Sequence, residues 1–217
     1  MAAIIDKRNA ASAGPHERWM DRWRERHHRP APAGAHRSCH SPEGDTWIAL
    51  DCETTSLDPR HAELVALAAV EVVGERILVS RALDLRLQRP ESLTADSIRV
   101  HGLRGVDLLA GEAMGDALRR LLDFVGDRPL IGWCLNYDLA IIDRQLRPRF
   151  GFTLPNRRLD VCREYLRHCR RAHPGLEPDL RFESVAEALG VPVIQRHSAL
   201  GDAISTALMH LRLMRLQ

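Results

Sequence analysis

Lysine is almost missing from this chain. Of its 31 basic residues among 217, Lys7 is the one lysine and the rest are arginine. A bias that uniform reflects coding composition, so arginine preference by itself says nothing about phosphate binding. Aromatic residues are only 5% of the chain. The five cysteines (39, 52, 134, 162 and 169) are odd in number and form no C-x-x-C pair. That excludes a disulfide framework and favours a reducing cytoplasm. The longest apolar run, Leu64 to Val73, contains Glu71 and is about half a membrane span, which excludes a transmembrane helix there. The first twenty residues lack an apolar core, so no secretory signal is expected. There is no internal repeat.

Apolar residues make up 45% and charged residues 28%, enough to bury a core. Net charge is +2, but it is unevenly spread. Residues 1–44 carry eight basic and five acidic side chains. From Arg144 to Arg171 nine arginines stand against Asp160 and Glu164. A basic segment beside an acidic centre suits a phosphate-rich substrate, although a solvated arginine face on helices reads the same way. Pro15 to Arg29 lacks breakers and predicts a helix with Trp19 and Trp23 on one face. Pro30, Pro32, Gly34, Pro42 and Gly44 then read as a linker. The chain thus divides into a basic extension, 1–44, and a domain, 45–217. The extension is a candidate site for a protein partner. Its His36-x-x-Cys39-His40 cluster lacks the second half of a zinc site.

Thr46 to Asp51 predicts a short strand. Glu63 to Val73 and Arg76 to Leu87 predict two longer strands joined at Gly74-Glu75. Thr94 to His101 predicts a short helix and Glu112 to Val125 a longer one. Arg128 to Trp133 predicts a buried strand, followed by a helix from Tyr137 to Leu146 that stops at Pro148. Helices follow at Asp160 to Arg171, at Phe182 to Leu189 (ended by Gly190) and at Ala199 to Leu213. Three strands followed by alternating helix and strand predict an α/β fold with a mixed sheet.

Asp51-Cys52-Glu53 closes the first strand. Strand side chains alternate, so the two carboxylates share one side and repel unless a cation lies between them. An exposed strand end entering a turn gives the same pattern. Tyr137-Asp138 opens a helix directly after the buried strand, where capping and the helix dipole also favour an acid. His197 precedes the closing helix and Asp202 lies in its first turns. Each of these three segments has an ordinary explanation when taken singly.

Together, D-x-E-T-T on the first strand, Y-D opening a helix and H-x-x-x-x-D opening the last helix resemble the DEDDh 3′–5′ exonucleases. This is the DnaQ-like superfamily that includes the proofreading ε subunit of bacterial replicative polymerase. The resemblance covers roughly residues 45 to 216. Ile98-x-x-His101-Gly102 and Leu159-Asp160-Val161 resemble two shorter segments of that family. It implies a ribonuclease-H-like fold, with a mixed five-stranded sheet whose strands one to three are antiparallel. It implies that Asp51, Glu53, Asp138 and Asp202 hold two divalent ions, Mg²⁺ or Mn²⁺, and that His197 is the general base. It implies substrate contacts at Thr54, Thr55 and His101, with Leu57 as a wedge against the last base. The implied substrate is a single-stranded nucleic acid 3′ end, DNA ahead of RNA, and no membrane is involved. An RNA or short-oligonucleotide 3′ exonuclease is the alternative within the same class. A catalytically inactive binding module is the alternative outside it.

Two departures from the family bear on substrate contacts. Ser56 stands where many members have glycine, so the turn must form without glycine's access to positive φ. Trp133-Cys134 stands where many have His-Asn. Fifteen residues follow Asp202, which leaves out the proofreading subunit's polymerase-binding tail and implies a stand-alone or differently tethered enzyme.

Overall fold

A computed structural model describes residues 46–175 and 177–216. The extension expected over 1–44, with its helix, tryptophan pair and His/Cys cluster, lies outside the described residues.

Strand β1 (Thr46–Thr54) is the centre of the sheet. It runs antiparallel to β2 (Leu64–Val73) and parallel to β5 (Leu130–Gly132), which in turn runs parallel to β6 (Arg158–Asp160). β2 also pairs antiparallel with β3 (Arg76–Ile77) and β4 (Leu83–Arg86). The sheet order is β3-β2-β1-β5-β6, with β4 on β2. This is the expected mixed α/β sheet. The helices are α1 (Ala95–His101), α2 (Met114–Val125), α3 (Asn136–Phe150), α4 (Val161–Ala172), α5 (Phe182–Leu189) and α6 (Ala199–Met214).

The third strand differs from the expected continuous Arg76 to Leu87. Ile77 faces Val72 and Leu83 faces Ala69, so five residues on the outer side match two on β2. The extra three are taken up in a 3₁₀ turn, Val79–Arg81, closed by Arg81 N–H to Leu78 O and Ala82 N–H to Val79 O. An outer strand can shed residues this way because no further strand requires its register. This is why the sheet has six strands rather than five. α3 also runs past Pro148, where the sequence predicts a stop. Proline forfeits one helical bond at a cost of about 3 kcal/mol. Burial of Phe150, worth roughly 1.5–3 kcal/mol, and the left-handed cap at Gly151 (φ 75°) offset that cost.

α4, α5 and α6 cover one face of the sheet. Their Val161, Phe182, Val185, Leu189, Ala203 and Leu213 pack with Ala49, Val70 and Val72 of β1 and β2. The approach of α6 is close because both surfaces are small: Ala199 meets Ala66 and Ala68. α2 packs on β2 and β4 through its buried stripe, Leu118, Leu121, Leu122 and Val125. β1, β5 and β6 are parallel, so their C-terminal ends open onto one edge of the sheet. That edge is where open α/β sheets place their ligands.

At the other end of α6, His210 lies 5.3 Å from the Trp47 ring (centroid to centroid) and is 3% exposed. Burial lowers its pKa to about 4, because the charged imidazolium would lose its water. The folded protein therefore excludes a proton that the unfolded chain takes up. The resulting stability is complete above about pH 6.5 and is lost as pH falls towards 4. His210→Leu is expected to remove roughly 3 kcal/mol of acid sensitivity across that window, read as the difference between the two proteins' urea midpoints at pH 7 and pH 4.5.

Candidate active site

Ala49, Asp51 and Glu53 point to the α6 face of β1. Ala49 is fully covered in the core. Two residues further on the strand outruns that core, and Asp51 and Glu53 face the first turns of α6, which carry Asp202. Oxygens of these three carboxylates lie within 4.8 Å of one another. β5 pairs with β1 only through Ile48 and Ala49, which leaves the backbone of Cys52 free. Asp138, in the first turn of α3, takes that place: its Oδ1 accepts the Cys52 N–H at 3.1 Å. Asp138 thus adjoins the trio without belonging to it.

Glu53, Asp138 and Asp202 are each under a tenth exposed. Burial raises all four carboxyl groups, and the charges of neighbouring carboxylates add to it at Asp51, Glu53 and Asp138. Burial lifts Asp51 well above the usual carboxylate range, with the charges of Asp138, Asp202 and Glu53 behind it. Glu53 rises to about 7 through burial and then through the Asp202 charge. Burial raises Asp138 against its hydrogen bond from Cys52, and raises Asp202 against the Arg196 guanidinium. Asp202 Oδ1 is buried and has no hydrogen-bond partner among the described residues. Hard oxygen donors, excess negative charge and an orphaned buried oxygen together fit a divalent cation.

The histidine loop is set by close packing on α6. A Cβ on Gly201 would lie 2.2 Å from Ile194 O and 2.6 Å from Gln195 O, so only glycine admits the loop. Ser205 Oγ accepts Ile194 N–H at 2.8 Å and donates to Gly201 O at 2.8 Å. Gln195 and His197 adopt φ of 40° and 64°, a left-handed conformation that costs non-glycine residues about 1 kcal/mol or more. His197 N–H donates to Asp202 Oδ2 at 3.2 Å, which helps to hold that conformation. The imidazole is thereby presented, exposed, on the wall of a cleft of about 390 Å³.

Asp51, Glu53, Asp202, His197, Thr54, Thr55 and Leu57 all line this cleft. Leu57 is 91% exposed, as an apolar group waiting for a partner would be. His101 does not line it. Its ring is buried, its Nδ1 accepts Leu103 N–H at 3.0 Å, and its Nε2 has no partner among the described residues. The α1 residues that do reach the cleft are Asp96, Ser97 and Val100, under the Thr94 cap. The expected arginine run also stays away. Arg144 donates to Arg60 O and Ala62 O, Arg167 pairs with Glu164, and Arg170 pairs with Glu177. These contacts match the solvated-face reading of that run.

Sequence reasoning misses three contributors. Tyr137 OH bonds Thr54 Oγ1 at 2.6 Å and donates to Ser56 O, which ties the loop after β1 to α3. Ser56 itself needs no positive φ, so the departure from glycine costs nothing there. Arg196 projects into the acidic cleft and touches Asp202. Gly201 is the third. The D-x-E spacing carries no trace of any of them, because each acts through a contact distant in sequence or through backbone proximity.

A cleft lined by three clustered acids and a histidine, with a fourth acid hydrogen-bonded beside them at the C-terminal edge of a mixed sheet, defines a nuclease-type hydrolase site. The family model of the RNase_T exonucleases matches residues 48–209, and the chain belongs to that exonuclease family, in its DnaQ-like branch with the ribonuclease-H-like fold. The DNA polymerase III subunit epsilon of Aquifex aeolicus (strain VF5) is 28% identical over 163 residues, 75% of this chain and 77% of that protein. A DNA polymerase III subunit epsilon-like protein of Rhodobacter capsulatus is 27% identical over 172 residues, 78% of this chain but 24% of that one. Two solved structures share the fold. Cell-death related nuclease 4 has a TM-score of 0.68 at 16% identity, over 80% of this chain and 65% of its own. E. coli exonuclease I in complex with a dT13 oligonucleotide has a TM-score of 0.65 at 16% identity, over 79% and 42%. The chain thus spans less than half of exonuclease I. No helix among the described residues is long and apolar enough to cross a membrane.

Raised carboxyl pKa values mean that ionising the cluster opposes folding when no metal is bound. That opposition appears above the unfolded value near 4 and grows as pH rises. In EDTA at pH 8, Asp51→Asn is expected to melt about 2–8 °C above wild type, equivalent to roughly 1–2 kcal/mol. The difference should vanish below pH 4. Calorimetric scans at both pH values check it, and an equal or lower melting temperature at pH 8 would contradict the repulsion.

Proposed function

We propose that this protein is a 3′–5′ exonuclease that hydrolyses phosphodiester bonds at single-stranded 3′ ends, DNA ahead of RNA, in the cytoplasm. The observation that carries this reading is the convergence of Asp51, Glu53 and Asp202 within 4.8 Å, on a cleft whose wall presents His197. Asp138, one hydrogen bond away, completes the carboxylate set. Two divalent ions, Mg²⁺ or Mn²⁺, held by these four residues would supply Lewis-acid activation and charge neutralisation at the scissile phosphate.

The chain's own groups do the rest. His197, exposed beside the acids, takes the proton of the attacking water, and it can do so only as neutral imidazole. Thr54 and Thr55 form the cleft wall against which the terminal nucleotide lies, with the Thr55 N–H and hydroxyl held by Glu63 and Ser92. The Tyr137 hydroxyl holds that loop in place. Leu57 packs against the last base and favours a frayed or single-stranded end over a stacked duplex. The DNA preference is supported by the relatives, which are named as DNA polymerase subunits, and by the dT13 oligonucleotide bound to the structurally similar exonuclease I. Residues 1–44 are an accessory to this domain and the candidate contact for a protein partner. Complete occupation of all five site positions disfavours an inactive binding module.

The test uses 5′-labelled DNA and RNA oligonucleotides of one sequence with Mn²⁺. Stepwise shortening from the 3′ end is expected, faster on DNA. Asp51→Asn, Asp138→Asn and Asp202→Asn should each remove most activity. His197→Ala should lower turnover roughly 10²–10⁴-fold with little change in binding, and Tyr137→Phe should mainly raise KM. Undiminished cleavage in EDTA, or release of nucleotides from the 5′ end, would refute the reading.

A further inference from the structure

Arg196 stands in a place that the chemistry of four acids does not require. It precedes His197 on the loop into α6, and its guanidinium is gripped on three sides. Nε donates to Glu183 Oε1 of α5 at 2.6 Å, the Phe182 ring lies beneath Cζ at 4.3 Å, and Nη1 donates to Asp202 Oδ2. Phe182 is itself braced edge-on by Trp133 at 5.1 Å. Among the described residues lining the cleft, Arg196 is the one permanent cation. Its charge acts on Asp51 and Glu53 as well as on Asp202. Asp202 is thus divided: Oδ2 is occupied by Arg196 and the His197 N–H, while Oδ1 is buried without a partner.

We infer that Arg196 is a resident counter-cation of the acidic cluster, stabilising the carboxylates when metal is absent and opposing divalent metal when it arrives. The inference rests on the reading that these carboxylates hold metal. Its anchors make it specific. Glu183 and Phe182 fix the guanidinium against α5, so it cannot swing away freely when a second positive charge enters. Every metal ion bound then does so against a fixed positive charge, and the protein gives up metal affinity for a metal-free state that stays folded. Asp202 does not depend on Arg196 alone for its orientation, because the His197 N–H holds the same oxygen. Removal of Arg196 therefore takes away a charge more than it takes away a support.

Two quantities should consequently move in opposite directions. Arg196→Gln should lower the melting temperature of the EDTA-treated protein at pH 8 by several degrees. The same variant should bind Mn²⁺ more tightly, by roughly three- to thirtyfold for a unit charge at this range in a partly buried site. The concentration of Mn²⁺ giving half-maximal activity should fall with it. Arg196→Lys, which keeps the charge, should bind Mn²⁺ within about twofold of wild type. The measurements are isothermal titration of Mn²⁺ into apo protein and melting in EDTA, neither of which needs turnover. Weaker or unchanged Mn²⁺ binding by the glutamine variant, with wild type binding normally, overturns the role of Arg196 and leaves the metal reading intact. Absence of Mn²⁺ binding by wild type overturns both. If the glutamine variant fails to fold, a lysine variant that binds Mn²⁺ more than tenfold tighter than wild type overturns the inference, because its charge is unchanged.

Discussion

Three carboxylates within 4.8 Å of one another, with a fourth against the neighbouring peptide, repel in a place from which water is largely excluded. The rest of the fold can be understood as the scaffold that forces them together. Two acids come free with a strand, since positions 51 and 53 share a face. The third requires α6 to lie close over β1 and β2, and the alanines at 66, 68 and 199 make that approach possible. The fourth requires a parallel strand that stops early, so that a helix N-terminus can reach the backbone of Cys52. Large hydrophobic side chains at those alanine positions would push α6 outward and separate Asp202 from its partners.

The histidine depends on a different kind of tension. His197 and Gln195 occupy left-handed backbone, and Gly201 admits the loop only because it has no Cβ. Strain in the loop and closeness to the helix are thus two sides of one packing arrangement, held by Ser205 and by the Asp202 carboxylate. Asp202 has structural and chemical duties at once. It fixes the backbone that carries His197 and Arg196, and it offers its remaining oxygen to the cleft. Tyr137 has a comparable double position, one residue before Asp138 and bonded to the loop that follows β1. The second motif therefore positions the first.

The relation to the epsilon subunits covers most of the Aquifex protein, whereas exonuclease I and the Rhodobacter protein are much longer than the matched region. The part shared with the solved structures is the fold.

The placement of the candidate acids was legible in the sequence from local periodicity, whereas their grouping with His197 as a site came only from the resemblance to the DEDDh exonucleases. Asp51 and Glu53 follow the strand repeat of two, and Asp138 and Asp202 each open a helix. Strand and helix periods likewise foretold the buried stripe of α2, while the sheet's antiparallel first half came from the turn at Gly74-Glu75 and from the resemblance. The misreadings have physical causes. Pro148 is a local signal, and it lost to the burial of Phe150 and the Gly151 cap. The third strand broke because its outer side has no neighbour to hold its register. β6 has three residues, too few for any period to show. His101 sits inside its motif spacing, yet the packing of α1 turns its ring into the core. The sequence by itself determined which acids and which histidine are present, and that they lie at the ends of strands and starts of helices. Only the tertiary structure decided that α6 is near enough to close the trio, that Tyr137 clamps the strand end and that Arg196 reaches Asp202. The first two join segments far apart in the chain, the first set by how closely surfaces of small side chains can pack and the second by a hydroxyl hydrogen bond, whereas the third spans six residues and is set by the fold of the loop onto α6.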